Sequence, residues 1–427
     1  MALSYRTQVL AATARVLPVA EFRTLDRHSP HRWGYYPLAI VWLAQILSPA
    51  ATLGERFADA RHWLRGLAPT RRLAGTYQGF VKALRRRGDG LAFLLHTAFQ
   101  DRMRRHLGES DRVGGWRPLA VDGTRFDCPR SRSCQRAFRR AGREKSPPQL
   151  LLTSLWHLGV HCWWDARIAP ATSAERTLLR DMLAGLPPHT LLVGDAGFIG
   201  YDLCADLDRR GVAFLLRVGA NVNLLTGLGV VRREAADTVY LWPHDHRGQC
   251  PLVLRLIVVG SGKRRVYLVT NVSSRTALSR KQAADFYRRR WGVETAYRAM
   301  KQTLARRKLL SRTSDLAQRE LTGIVLASWM LALLSLLART RRAWGRAWSV
   351  AAVVRVMRQA LHGGRRAGRS LGRRLAQALV PAVRSRRRKT RQDWPHRKND
   401  PPCGVPKIKR APAMLVAQAQ RFTPLAA

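Results

Sequence analysis

Tyr287, Arg290, Glu294 and Lys301 follow one another at intervals of three, four and seven residues. On a helix turning about 100° per residue they fall within an arc of ~60° and share one face. One carboxylate is then flanked by two fixed cations and a phenol. Such a set suits a site that holds a metal ion and a phosphodiester together, the carboxylate ligating the metal and the cations meeting the phosphate. The chain contains 8 Glu, 9 Tyr, 66 Arg and 10 Lys, so the Arg is common and the Tyr and Lys make the pattern specific. Their frequencies give roughly 6 × 10⁻⁴ for finding it around any Glu. The bland alternative is a solvated basic helix with one stray Glu.

Two further acids stand at the ends of apolar runs. Asp122 follows Pro118-Leu119-Ala120-Val121, and Asp195 follows the run from His189 to Gly194. Gly123 follows the first and Ala196-Gly197 the second, which leaves space beside each carboxylate. Acids at strand ends, with one on a helix that packs on the sheet, can converge on a point. Three such carboxylates suit two Mg²⁺ or Mn²⁺ ions, one activating water or a 3′-hydroxyl and the other stabilising the leaving oxygen. Taken alone, either Asp also reads as a turn or cap residue, and Asp127 and Asp202 are nearby competitors.

The elements that must position these residues fall into three stretches. Residues 1–115 read as a helical domain, because apolar residues recur every three or four positions in Val9 to Leu17, Tyr36 to Leu47 and Phe80 to Leu84. With its many Arg it is expected to contact DNA. Residues 116–345 read as an α/β core: a strand ending at Asp122, a hairpin around Gly159, a helix from Ser173, a strand ending at Asp195, a helix closed by Gly211, and a strand from Val212 to Val218. Residues 219–275 break the alternation and read as a β-rich insertion. Ser279 then caps the helix carrying Tyr287 and Glu294. Residues 346–427 form a basic C-terminal region, and positions 363–410 hold 16 Lys or Arg against 2 Asp. Part of that region is expected to be disordered without a partner.

Composition narrows the partners. The formal net charge is +49 over 427 residues. A chain so basic calls for a polyanion, with nucleic acid first and an anionic membrane surface second. Leu321 to Ala338 carries no charge over eighteen residues. It also contains Thr, Gly and two Ser and stands alone, so it reads as a buried core helix and no membrane is expected as a partner. The six cysteines form no CxxC pair, which argues against a zinc site or a disulfide framework and suits a reducing cytoplasm. His157, His161 and Cys162 lie in a strand-like apolar run and are not read as metal ligands.

Three blocks together resemble the DDE transposases of bacterial insertion sequences, in the branch of insertion-sequence-four type that carries a Tyr-x2-Arg-x3-Glu-x6-Lys signature. They are Ala120-Val121-Asp122-Gly123-Thr124, Gly194 to Tyr201 around Asp195, and Tyr287-Arg290-Glu294-Lys301. Ser173-Ala174-Glu175-Arg176 and Leu268-Val269-Thr270-Asn271 fit as lesser blocks, and the order holds over about 116–305. The resemblance implies a ribonuclease-H-like α/β catalytic core with a β insertion, a helical N-terminal domain and a basic tail. It implies cleavage at insertion-sequence ends and transfer of the 3′-hydroxyl into target DNA. Carried over by position, Asp122, Asp195 and Glu294 are the catalytic acids and ligate two Mg²⁺ or Mn²⁺ ions, while Tyr287, Arg290 and Lys301 bind transposon-end DNA. Some members form a DNA hairpin and stack a flipped base on an aromatic of the insertion, a role for which Trp242 has the right type. Synapsis of two ends implies a homodimer, acting in the cytoplasm and at the nucleoid. The competing readings are a transposase-derived DNA-binding protein without activity, and a metal-dependent nuclease of the same fold.

Overall fold

The computed structural model describes residues 5–27, 33–67, 75–139, 146–231, 234–243, 248–262, 265–362, 370–380 and 404–422. The chain is a mixed α/β protein whose contacts divide it into two compact units. The first is built from Met1–Asp111, Gly123–Met182 and Gly292–Val380, and the second from Arg112–Asp122, Leu183–Trp291 and Pro381–Ala427. Each unit thus joins stretches far apart in sequence. Most of positions 363–410, along with Cys403, lies outside the described residues.

In the first unit the N-terminal segment forms α1 (Tyr5–Ala14), α2 (Val19–Arg27), α3 (Tyr35–Ala44), α4 (Leu53–Leu67) and the 31-residue α5 (Tyr77–Leu107). Thr76 caps α5 by accepting from the Gly79 amide, and Gly108, at φ 52°, ends it. Phe80, Leu84, Gly88, Leu91, Leu95, Phe99, Met103 and Leu107 are buried at steps of three and four, one stripe over the whole length. That stripe meets α11 (Ser314–Ala338). The uncharged run expected to be a core helix lies within α11, and it is buried nearly all round, against α5, α3 and β3 (Cys162–Pro170). A Cβ on Gly323 would stand 2.3 Å from Trp42 Nε1, so glycine sets how closely α3 and α11 approach. Past the end of α11, the buried Arg339 donates to the carbonyls of Ser335, Ala343, Arg346 and Val160 at 3.2, 3.4, 2.8 and 3.2 Å. Burial pulls its guanidinium down to about 10, far enough above neutrality to keep the charge that those carbonyls need.

The expected hairpin around Gly159 is present. β2 (Gln149–His157) runs antiparallel to β3, in register from Leu150↔Pro170 to Leu155↔Asp165, with a bulge before Trp156. His157 is engaged at both ring nitrogens. Its Nε2 bonds the Asp111 carboxylate at 3.1 Å, and its Nδ1 accepts from the Gly159 amide at 3.0 Å. His161 lies 3.2 Å from the Gly345 carbonyl. Both rings are accounted for as parts of the fold.

β1 (Arg117–Asp127) contributes its first six residues to the second unit and its last five to the first. The expectation that this strand closes at Asp122 is corrected: it continues to Asp127, whose carboxylate accepts from Gln149 at 2.8 Å. What does end there is the pairing with β4 (Thr190–Gly194), whose last matched residues are Ala120↔Val193.

In the second unit the strands lie in the order β10-β6-β7-β8-β9-β5-β4-β1, a large mixed sheet. β1, β4 and β5 (Ala213–Val218) are mutually parallel, and β9 (Val266–Thr270) runs antiparallel to β5. The β insertion continues from there through β8 (Leu252–Val259), β7 (Thr238–Leu241) and β6 (Asn223–Thr226). The last strand, β10 (Lys407–Arg410), comes from the far C-terminus and pairs in parallel with β6. Leu415, Val416 and Phe422, in and just after α14 (Ala413–Gln420), cover Leu228, Tyr240 and Trp242. The helix α8 (Tyr201–Arg209) links β4 to β5, and Gly211, at φ 66°, turns the chain.

Candidate active site

In the second unit Asp122 lies on β1, and Asp195 immediately follows β4, the parallel strand beside it. The paired register ends at Ala120↔Val193, two residues before each aspartate, and both aspartates are partly exposed. Parallel strands lie about 4.8 Å apart, and open α/β sheets bind ligands at the carboxyl ends of such strands. Carboxylates are hard-oxygen donors of the kind Mg²⁺ or Mn²⁺ takes. Gly194 makes the close packing beneath them possible: a Cβ there would stand 2.8 Å from Leu216 and 3.2 Å from Val121. Beyond it the chain turns sharply, with Asp195 Oδ1 accepting from the Gly197 amide at 2.9 Å. Phe198 and Ile199 are buried immediately after and pin the turn.

Tyr287 and Arg290 belong to the same unit. The capping box formed by Ser279 and Gln282 starts α9 (Arg280–Arg289), as the sequence suggested. Tyr287 is buried on its inner face, and the Arg290 guanidinium lies 5.5 Å from the Tyr287 ring and 5.6 Å from the exposed Trp291 ring. Burial pushes the Tyr287 phenol up; Arg290 and a hydrogen-bonded Arg217 pull it back down, and the Asp195 carboxylate pushes it up again. Arg290, Arg217 and Asp195 thus all act on the Tyr287 phenol. Arg217 went unnoticed in the sequence. The signal was there: it is the lone charge in the apolar strand Ala213-Phe214-Leu215-Leu216-Arg217-Val218.

Glu294 and Lys301 belong to the first unit. Glu294 is partly exposed on α10 (Trp291–Arg298), whose inner face holds Val293, Ala296 and Tyr297. The Tyr297 hydroxyl bonds Ser154 at 2.6 Å, which fixes α10 on β2. Gly292 serves the same contact, since a Cβ there would meet Trp156 Nε1 at 3.1 Å. The single regular helix expected through Lys301 is interrupted twice, first at Arg290, which separates α9, carrying Tyr287, from α10, carrying Glu294. A π-turn occupies Ala299–Thr303, and its extra residue rotates Lys301 away from ideal α spacing. The Lys301 ammonium donates to Thr124 at 2.7 Å and lies 5.0 Å from the Phe126 ring. It is thus held on the second half of β1, just after Asp122.

A further carboxylate stands over Gly123 in the first unit. A Cβ on Gly123 would lie 2.3 Å from the Glu175 carboxyl carbon, so the space there is filled by Glu175, at the start of α7 (Glu175–Leu183). The sequence marked the Ser173–Arg176 block but not this acid's position. Among the described residues no three His, Cys, Asp or Glu side chains form a ready-made metal cluster.

The family model described as "Transposase DDE domain" matches residues 116–330, half of the chain. "Transposase InsG for insertion sequence element IS4" of Escherichia coli (strain K12) is 25% identical over 223 residues, covering 49% of this chain and 50% of that protein. "Putative transposase InsZ" of the same organism is 29% identical over 124 residues, covering 28% of this chain and 41% of that protein. The chain thus spans half or less of the length of these relatives. Among solved structures, a piggyBac transposase synaptic complex with hairpin DNA aligns over 91% of this chain and 87% of that one, at 12% identity and a TM-score of 0.37.

Proposed function

The chain belongs to the transposase DDE-domain family, and from that premise we propose that it is a DNA transposase cutting at insertion-sequence ends and joining the 3′-hydroxyl to target DNA. Domains of this family depend on divalent metal ions. The observation that carries the reading is Asp122 on β1 and Asp195 just after the parallel β4, with Asp195, Arg290 and Arg217 all acting on the buried Tyr287.

On this reading Asp122, Asp195 and Glu294 hold two Mg²⁺ or Mn²⁺ ions. Bound metal supplies an activated water or 3′-hydroxyl and stabilises the leaving oxygen. The protein's own residues do the rest. The carboxylates fix where the metal charge sits. Arg290 and Arg217 neutralise the phosphate that enters beside Asp195, and bidentate guanidinium contacts orient it for in-line attack. Tyr287 packs under Arg290 and holds its plane. Lys301, anchored near Thr124, meets the adjoining phosphate of the transposon end.

The parallel trio β1-β4-β5 and the antiparallel β2-β3 hairpin support a ribonuclease-H-like core, with residues 219–275 as its insertion. The helices of residues 1–115 and the basic residues 346–427 are assigned to DNA contact. The partners are transposon ends and target DNA, with a homodimer in the synaptic complex and a place in the bacterial cytoplasm at the nucleoid. An inactive DNA-binding descendant and a nuclease of another role are the alternatives; the curated relatives, both transposases by name, favour neither.

The test begins with the DNA around the coding region. Short inverted repeats bounded by a small direct duplication are expected. A duplex carrying those repeats should be cut by the purified protein at the repeat boundary in Mg²⁺, and random duplex should not. Binding without cutting would point to the inactive descendant, and cutting that ignores the repeats to the nuclease.

A further inference from the structure

The second unit contains a cavity of about 490 Å³ that begins at Ile199, Gly200 and Tyr201, the residues leading out of the Asp195 turn. Asn221 and Asn223, and Lys407 and Lys409 of β10, line it as well. From this arrangement we propose that the C-terminal strand β10 is part of the DNA-binding surface, and that Lys407 and Lys409 hold consecutive phosphates of the DNA strand passing Asp195. The inference rests on the transposase reading and extends it to a segment that neither the signature blocks nor the family match at residues 116–330 includes.

Four observations converge on a phosphodiester as the occupant. Side chains two apart on a strand point to the same face, at about 6.6–6.8 Å spacing. Lys407 and Lys409 therefore stand side by side, close to the separation of consecutive phosphates along one strand. Both are exposed, so neither charge is used up in the core. Among the described residues the lining contains two ammonium groups and no Asp or Glu, so the cavity's charge is positive. The asparagine amides of Asn221 and Asn223 add donors that suit sugar and phosphate oxygens.

A simpler role for these lysines exists. Lysines on an edge strand guard it against pairing with other chains. That role needs the charge only to face solvent. It does not explain why Lys407 and Lys409 share a cavity with Ile199, Gly200 and Tyr201, nor why the chain returns from its basic stretch to add a strand at this edge.

The test uses the full chain with the Lys407→Gln/Lys409→Gln pair, Lys407→Arg/Lys409→Arg and Asp195→Asn. Two lost phosphate contacts lower the slope of log affinity against log salt by about 1.8 and weaken end-DNA binding roughly 10- to 60-fold at 0.1 M salt. The Arg pair restores both, and the melting temperature of the Gln pair stays at the wild-type value. As a positional readout, DNA with an abasic aldehyde beside the cleaved phosphodiester is treated with borohydride, and the trapped peptide contains Lys407 or Lys409. Wild-type affinity and slope in the Gln pair, a trapped peptide lying elsewhere, or a lowered melt would each overturn the proposal. Failure of the wild-type chain to bind end DNA at all, or full cleavage by Asp195→Asn, would strike the transposase reading instead.

Discussion

At the scale of single residues, position gives the acids a meaning that residue type alone does not. Asp127 has the same type as Asp122 and lies on the same strand, but its carboxylate is taken by Gln149. Asp195 accepts one backbone amide and acts, with Arg217 and Arg290, on the phenol of Tyr287. Arg217 is the informative addition. Arg217→Gln is expected to lower the salt slope of end-DNA binding by about one unit, as Arg290→Ala should, because each removes one phosphate contact. Tyr287→Phe keeps the ring under Arg290 and should bind nearly as wild type, whereas Tyr287→Ala should not. Filter binding over a salt series reads all four. An Arg217 variant with an unchanged slope would confine that residue to supporting Tyr287.

At the scale of elements, the strands and helices that carry period and caps were legible in the sequence. The hairpin around Gly159, the strand before Asp195, the helix closed by Gly211 and the helix capped by Ser279 all lie where period-two and period-3.6 patterns put them. Three features were not legible, each for a physical reason. β1 outruns its apolar stretch because its later residues are held by long-range partners, as Asp127 is by Gln149 and Thr124 by Lys301. The π-turn at Ala299–Thr303 leaves no compositional mark. β6 and β10 are four-residue strands with little apolar periodicity, and they come from opposite ends of a long stretch of chain, Asn223 pairing with Lys407. Arg339 belongs to the same class. It reads as one Arg among 66, yet its side chain satisfies four carbonyls at the end of α11, in the segment after it and in the β2–β3 hairpin. Arg339→Met should cost roughly 2–4 kcal/mol, because buried acceptors lose their donor. Urea unfolding of the first unit's helices, followed by circular dichroism, measures it. A loss below about 0.5 kcal/mol, the level of an ordinary surface change, would show that water replaces the guanidinium.

At the scale of the whole molecule, the C-terminal region is more than a charged tail. α13 (Leu371–Gln377) buries Leu371 and Leu375 in the first unit, and residues 404–422 complete the edge of the second. A chain ending after His362 therefore loses core contacts as well as charge. Truncation after Val380 separates the effects: it keeps α13 and removes β10, α14 and the basic stretch between. The truncated protein should lose non-specific DNA affinity and expose Tyr240 and Trp242, raising binding of a hydrophobic dye and lowering the melt of the second unit. An unchanged melt and unchanged DNA affinity would mean that the segment contributes to neither. The transposase reading stands on the aspartate pair. The most direct measurement is strand cleavage of an end-bearing duplex in Mg²⁺ by Asp122→Asn and Asp195→Asn, beside Glu294→Gln, with binding to the same duplex followed in parallel. A neutral amide keeps the shape of each side chain but loses the charge that holds a metal. The predicted result is no cleavage by any of the three with binding within about threefold of wild type, a change under about 1 kcal/mol. Cleavage at a wild-type rate by Asp122→Asn or Asp195→Asn would contradict it.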